Sequence, residues 1–185
     1  GAAALLLGIG LGVPLGLAAG LRQNGWADHA VMSVALVGIA VPNFVVAPVL
    51  ALVFGLYLGW LPVAGWEPGS AKHLVLPVIT LALPLVAYLA RLTRGSLLEV
   101  LQSPFIRTAR AKGLAPAAIL LRHALKPTLL PVVSFLGPAT AALLTGSLVV
   151  EQVFGLPGVG RYFVQGAVNR DYTLVMGMVI FYASL

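Results

Sequence analysis

Long uncharged apolar stretches dominate this chain. They cover residues 1–21, 30–66, 74–90, 127–150 and 172–185. An α-helix needs roughly 17–25 mostly apolar residues to cross a bilayer. Because the hydrocarbon core offers no hydrogen-bond partners, the backbone N–H and C=O groups must bond to each other, as they do within a helix. The sequence therefore predicts an all-α polytopic transmembrane bundle with about five visible spans. The second span is expected to end near Leu58, the third to reach Ala90 or run past Arg91, and the fifth to start near Tyr172.

Composition excludes a water-soluble globule. Hydrophobic residues make up 60% of the chain, charged residues 9%, and the mean hydropathy is +1.03, whereas a soluble domain has about a quarter charged residues. The chain has no cysteine, which excludes disulfides, thiol catalysis and cysteine metal sites within it. It opens and closes inside apolar stretches without an initiator Met, so residues 1–185 are expected to be one transmembrane domain truncated at both ends, lacking a first helix and part of the last.

The basic residues are unevenly placed. If the short polar loop Gln23 to Asp28 faces the cytoplasm, the inside holds Arg22, Arg91, Arg94, Arg107, Arg110, Lys112, Arg122 and Lys126, and the outside holds Lys72, Arg161 and Arg170. This is the bias of the positive-inside rule. The excess of basic residues therefore requires no nucleic acid partner.

Residues 103–126 are too charged to span the membrane and too amphipathic for a slack linker. The pattern indicates a helix, a break at Gly113 and a short second helix that starts at Pro116. Two uses fit it. The segment lies flat in the membrane interface with its basic face toward headgroups, or it offers a short rigid helix to a groove on a soluble partner.

Several separated motifs resemble one known family. They are R-T-A-R-A-K-G at 107–113, L-L-R-H-A-L-K-P at 120–127, L-A-R-L-T-R-G-S-L-L-E-V-L at 89–101, V-V-E-Q-V-F-G-L-P-G-V-G-R at 149–161 and N-R-D-Y at 169–172. Together they resemble the dipeptide/oligopeptide/nickel permease family of ABC importers across nearly the whole chain. The resemblance implies the type I ABC importer permease fold.

The resemblance also implies a role for residues 103–126, called here the coupling loop. In that family this segment inserts into a groove on an ATPase subunit. The positions it assigns to this contact are Arg107, Thr108, Ala109, Arg110, Ala111, Lys112, Gly113, Leu114, Ala115, Pro116, Leu121 and Arg122. The wider class has E-A-A where this chain has Thr108-Ala109-Arg110, and its I-x-L-P positions fall on residues 123–126, with the proline delayed to Pro127. A role that needs the glutamate of that motif is therefore in doubt.

Two further sets of positions follow from the same resemblance. The outer loop, residues 151–161, would face a substrate-binding protein through Glu151, Phe154, Gly155, Pro157, Gly158, Gly160 and Arg161, although a plain solvated loop fits this stretch equally well. Polar residues of the fourth span, Thr140, Thr145 and Ser147, are candidates for lining the substrate pathway.

No enzyme motif occurs in the chain. It has no phosphate-binding G-x-x-x-x-G-K-[ST] and no H-E-x-x-H, and His29, His73 and His123 fall in three separate segments. We therefore expect no catalytic residue, no metal site and no cofactor here, with ATP and Mg bound by partner subunits. None of the five acids is expected at mid-membrane depth, which disfavours an ion-coupled carrier.

The resulting expectation is a multi-pass permease subunit of the cell inner (cytoplasmic) membrane. The resemblance implies a second homologous permease, two ABC ATPase subunits and an extracytoplasmic substrate-binding protein as partners, besides the lipid bilayer, and di- or oligopeptides or a related small solute as cargo. A secondary, ion-coupled carrier or channel without an ATPase is the alternative, and a purely structural membrane anchor is a third.

Overall fold

The computed structural model describes residues 1–144 and 148–184, except for the side chain of Leu144. Within those ranges the chain forms helices joined by turns and contains no β-strand, so the predicted all-α fold is confirmed. The helices are α1 (Ala2–Leu21), α2 (Trp26–Ala40), α3 (Asn43–Leu50), α4 (Lys72–Gln102), α5 (Pro104–Ala111), α6 (Pro116–Ala118), α7 (Leu125–Leu144), α8 (Leu148–Phe154), α9 (Gly160–Val168) and α10 (Tyr172–Ser184). Two π-helical stretches, Ala51–Tyr57 and Ile119–Ala124, continue α3 and join α6 to α7.

In the described residues, three helical segments are long and apolar enough to cross a membrane: Ala2–Leu21, Lys72–Gln102 and Pro116–Leu143. The pair Trp26–Ala40 and Asn43–Tyr57 counts as a fourth span only if the two helices are taken together across their bend, and a re-entrant loop fits the same pair. The 13-residue α10 is apolar but shorter than a span.

Three boundaries differ from the sequence-based expectation. Helix α2 starts at Trp26, ahead of the uncharged run from Ala30 within which the second span was expected. That span is interrupted before α3, because Pro42 has no N–H group and holds extended backbone angles (φ −66°, ψ 147°). The third span agrees with the expectation, since helix α4 runs past Arg91 as far as Gln102. The predicted short second helix after Gly113 is wrong as a separate element, because it continues through the π-helical turns into α7.

Contacts divide the chain into two compact units. The first comprises residues 1–5, 41–83 and the described residues from 140 onward, and the second comprises residues 6–40 and 84–139. The first is centred on a cluster of buried side chains: Ala47, Ala51, Leu76, Val150 and Phe154. Here the N–H of Gly65 donates to the carbonyl of Phe154 at 2.8 Å, which ties the loop after α3 to the end of α8.

In the second unit, α1 packs closely on α4 along a row of glycines. Gly8, Gly12, Gly16 and Gly20 recur every four residues and so share one face of α1. A Cβ atom added at Gly12 would lie 2.9 Å from the Val86 carbonyl oxygen. Small residues let helix backbones approach closely inside a membrane, so this row sets the contact between the two helices.

Candidate coupling loop and outer loop

Helix α5 begins the coupling loop and rests on an apolar base. Ser103 is extended (φ −66°, ψ 152°) and Pro104 occupies the first helical turn, where its missing N–H costs nothing. Three residues apart on one face, Ile106 and Ala109 are both buried. They join a core cluster with Leu97 of α4 and with Ile119 and Ala124 after α6. The position of α5 is therefore fixed by helices on both sides of it in sequence.

The sequence-predicted ATPase contacts fall into two groups on this base. Ala109 lies inside the cluster, 6% exposed. The remaining predicted contacts are all exposed: Arg107, Thr108, Arg110, Ala111, Lys112, Gly113, Leu114, Ala115, Pro116, Leu121 and Arg122. The segment thus presents a basic surface with two exposed leucines, held by a buried apolar face.

Gly113 ends α5 and turns the chain. Its φ of +76° lies in the left-handed region, which glycine occupies at no steric cost. Its N–H donates to the Arg110 carbonyl at 3.0 Å, and the next N–H, of Leu114, donates to the Ala109 carbonyl at 3.3 Å. These bonds satisfy carbonyls that the end of the helix leaves unpaired. The predicted glycine break is confirmed.

The outer loop is a helix end, a tight turn and a new helix start. Phe154, the last residue of α8, is 2% exposed in the core of the first unit, and Gly155 follows with a φ of +63°. The Glu151 carboxylate accepts the N–H of Gly160 at 2.8 Å, at the start of α9. An added Cβ at Gly158 would collide with that carboxylate. Glu151 therefore closes the turn rather than standing free in solvent.

The remaining outer-loop residues are on the surface. Pro157 and Arg161 are exposed, and the Arg161 guanidinium lies 4.9 Å from the ring centre of Tyr162. Of the pathway candidates, Thr140 is partly exposed on α7, whereas Thr145 and Ser147 lie outside the described residues.

An ion pair that sequence reasoning missed lies in the second unit. Asp28 was expected in a polar loop, but it sits in the first turn of α2 and is 1% exposed. Its two carboxylate oxygens accept hydrogen bonds from Arg94 Nε at 2.5 Å and from Arg94 Nη2 at 2.7 Å. The N–H of Asn24 adds a third bond at 2.9 Å. A charge-assisted, two-pronged pair of this kind is among the strongest polar contacts in proteins.

The packing of α1 on α4 brings the two residues of this pair together. Arg94 lies on α4 between residues that pack against α1, because the glycine row brings Gly16 against Thr93 and Gly20 against Leu97. A carboxylate shortly after the end of α1 is then at the level of Arg94. Among the described residues, no group of three or more His, Cys, Asp or Glu side chains could hold a metal ion.

Comparison with known proteins agrees with this architecture. The chain is 52% identical over 185 residues to the oligopeptide transport system permease protein OppB of Escherichia coli strain K12 and to OppB of Salmonella typhimurium strain LT2, covering 100% of this chain and 60% of each relative. It is 45% identical over 183 residues to the dipeptide transport system permease protein DppB of Bacillus subtilis strain 168, covering 99% of this chain and 59% of that relative. The chain thus spans about 60% of the length of these relatives.

A family model also matches residues 12–185, and its description is "Binding-protein-dependent transport system inner membrane component". This match confirms the resemblance stated from the motifs and, with it, the type I importer permease fold. The chain belongs to the family of binding-protein-dependent transport system inner membrane components.

Proposed function

We propose that this chain forms the membrane-spanning part of a permease subunit in an ATP-driven importer of short peptides. The relatives are oligopeptide and dipeptide transport permeases by name, and they supply the substrate class. The observation that carries the proposal is the structure of the coupling loop. It presents an exposed basic surface, and its buried apolar face packs α5 against α4 and against the helix leading into α7.

This arrangement suits the transmission of force from a soluble partner. Ile106 and Ala109 pack with Leu97 of α4 and with Ile119 at the start of the helix that becomes α7. Protein interiors are close-packed and stiff. A displacement of α5 by a closing ATPase is therefore passed to both helices instead of being absorbed in a slack loop.

The chemistry of ATP belongs to the partners in this proposal. Two ABC ATPase subunits bind ATP and Mg and contact the coupling loop, while a second homologous permease completes the transmembrane assembly. An extracytoplasmic substrate-binding protein delivers peptide to the side that carries the outer loop. The chain itself then binds no cofactor, catalyses nothing and resides in the inner membrane.

The test uses the full-length protein, solubilised from its native membrane with its co-purifying proteins identified. Arg110→Glu combined with Lys112→Glu reverses two exposed charges of the coupling loop without touching the buried base. We expect P-loop ATPases to co-purify with the unmodified protein and to be lost from this variant, which still inserts. Gly113 and Ala109 are poorer targets, because one needs a positive φ and the other is buried.

The matched control is Lys72→Glu combined with Arg161→Glu, which makes the same change of net charge at exposed residues outside the coupling loop. This variant is expected to keep its ATPases. If no ATPase accompanies the unmodified protein, and peptide uptake instead follows a proton or sodium gradient, the importer proposal fails and the carrier alternative replaces it.

A further inference from the structure

A groove of about 600 Å³ that is open to the outside, called here the α4 cavity, lies within the second unit. Its walls include Tyr88, Arg91, Gly95, Ser96 and Glu99 of α4, together with Pro131 of α7. Positions 88, 91, 95 and 99 recur at intervals of three and four, so they lie along one face of the helix. This volume is in the range of sites for small ligands, roughly 300–1,000 Å³.

Two side chains of opposite charge in the wall of this cavity, Arg91 and Glu99, are exposed and have no partner among the described residues. Neither Arg91 nor Glu99 makes a hydrogen bond or ion pair with any residue in the part of the chain that the structure describes. They are eight residues apart on α4, which corresponds to about 12 Å along the helix axis. Arg94, between them, is already paired with Asp28. The unneutralised charges of this part of α4 are thus a cation and an anion at two levels of one cavity.

We propose that the α4 cavity binds a short peptide through its two free termini during transport, an inference that rests on the proposed function. Arg91 receives the terminal carboxylate, for which the guanidinium fork is well matched, and Glu99 receives the terminal ammonium group. An extended chain advances roughly 3.3–3.6 Å per residue, so a separation of about 12 Å selects peptides of three to four residues.

The rest of the wall suits a ligand with varied side chains. Tyr88 stacks on Phe135 of α7 with ring centres 4.1 Å apart, which gives the cavity a rigid aromatic side. Contacts to the two termini do not depend on the peptide's sequence, and an apolar wall accepts many different side chains. Binding by the termini therefore combines selection for length with tolerance of sequence.

Gly95 offers a way to test the site without disturbing the fold. It lies between the two charges, and a Cβ atom added there would meet nothing within 4 Å. Since the chain has no cysteine, Gly95→Cys introduces a single thiol into it. The matched site outside the cavity is Gln23→Cys, on the exposed loop before α2.

The experiment reconstitutes the full-length protein with its permease, ATPase and binding-protein partners, all free of other reactive cysteines, and follows alkylation by a small maleimide. We expect tri-alanine to slow labelling of Gly95→Cys and leave Gln23→Cys unaffected. Tri-alanine that is acetylated at its N-terminus and amidated at its C-terminus is expected to give no protection.

Charge variants distinguish binding from a structural effect. Arg91→Gln or Glu99→Gln in the Gly95→Cys background should raise the tri-alanine concentration for half-protection by about tenfold or more. The exchange Arg91→Glu with Glu99→Arg should restore protection, because a zwitterionic peptide fits in the reverse direction.

Gly95→Phe should block tri-alanine uptake, whereas Gly10→Phe, at another open glycine, should not.

ATP-dependent uptake of tri-alanine by the unmodified assembly separates the two proposals. Uptake without protection at Gly95→Cys overturns the cavity proposal and leaves the importer intact. Protection without ATP-dependent uptake supports the cavity and overturns the importer. If Gly95→Cys does not react with the maleimide but forms a disulfide with a cysteine placed in the second permease, this face is a subunit interface. That result also overturns the cavity proposal.

Discussion

At the residue scale, the Asp28 carboxylate depends on a few donors for its stability. It accepts hydrogen bonds from the Arg94 guanidinium and from the N–H of Asn24, and it is almost completely shielded from water. An ionised group in such a place is costly unless it is paired. The Arg94 side chain keeps 25% of its surface exposed, so the loss of the carboxylate leaves a cation that water reaches in part.

We predict that Asp28→Asn lowers the free energy of unfolding by about 3 kcal/mol. This is the lower end of the range for breaking a buried ion pair, because the Arg94 side chain that is left behind is partly exposed to water. Thermal unfolding of the purified protein in detergent measures the change. Arg22→Gln is the control, since it removes an exposed charge just before the same loop. Equal midpoints for the two variants would contradict a stabilising role of the pair.

Gly113 gives a second prediction at this scale. A Cβ atom there would have open space around it, so the cost of Gly113→Ala comes from the positive φ alone, about 1 kcal/mol. Gly113→Asn should cost less, because asparagine tolerates this conformation better. Gly137→Ala, also in open space but inside α7, should be neutral or stabilising. A Gly113→Ala protein as stable as Gly137→Ala would refute the conformational argument.

At the element scale, the glycine row makes the contact between α1 and α4 sensitive to a single methyl group. At Gly12 the added atom would press on the Val86 carbonyl, which is backbone and cannot rotate away. We predict that Gly12→Ala destabilises the protein by about 2 kcal/mol, as overpacking does in other cores. Gly10→Ala, two residues earlier and with nothing within 4 Å, should leave the melting temperature unchanged or higher. The reverse order of the two variants would show that the helices do not meet along this row.

At the scale of the whole molecule, the distribution of basic residues predicts the orientation in the membrane. Cysteines placed singly at Lys112 and Val159, both exposed, should react with an impermeant maleimide from opposite sides, Lys112→Cys from the cytoplasm and Val159→Cys from outside. Right-side-out and inverted vesicles separate the two. Labelling of both from one side would overturn the predicted topology.

Much of the helical architecture could be predicted from apolar stretch length, because a bilayer dictates how long a spanning helix must be. The break at Gly113 in the coupling loop could also be predicted from the sequence, since few residues other than glycine end a helix in the left-handed region. The burial of Asp28 could not be predicted, because a carboxylate is expected in a solvated loop until its partner 66 positions away is known. Nor was the burial of Ala109, because alanine suits a surface contact and a core equally well.

The same separation along the chain has a consequence for biogenesis. Asp28 is synthesised 66 residues before Arg94, and at ribosomal rates of roughly 5–20 residues per second that gap lasts about 3–13 s. During this time the Arg94 side chain that pairs with Asp28 has not yet been synthesised. The glycine contact between α1 and α4 and the Asp28–Arg94 pair can therefore both form only after α4 has been synthesised.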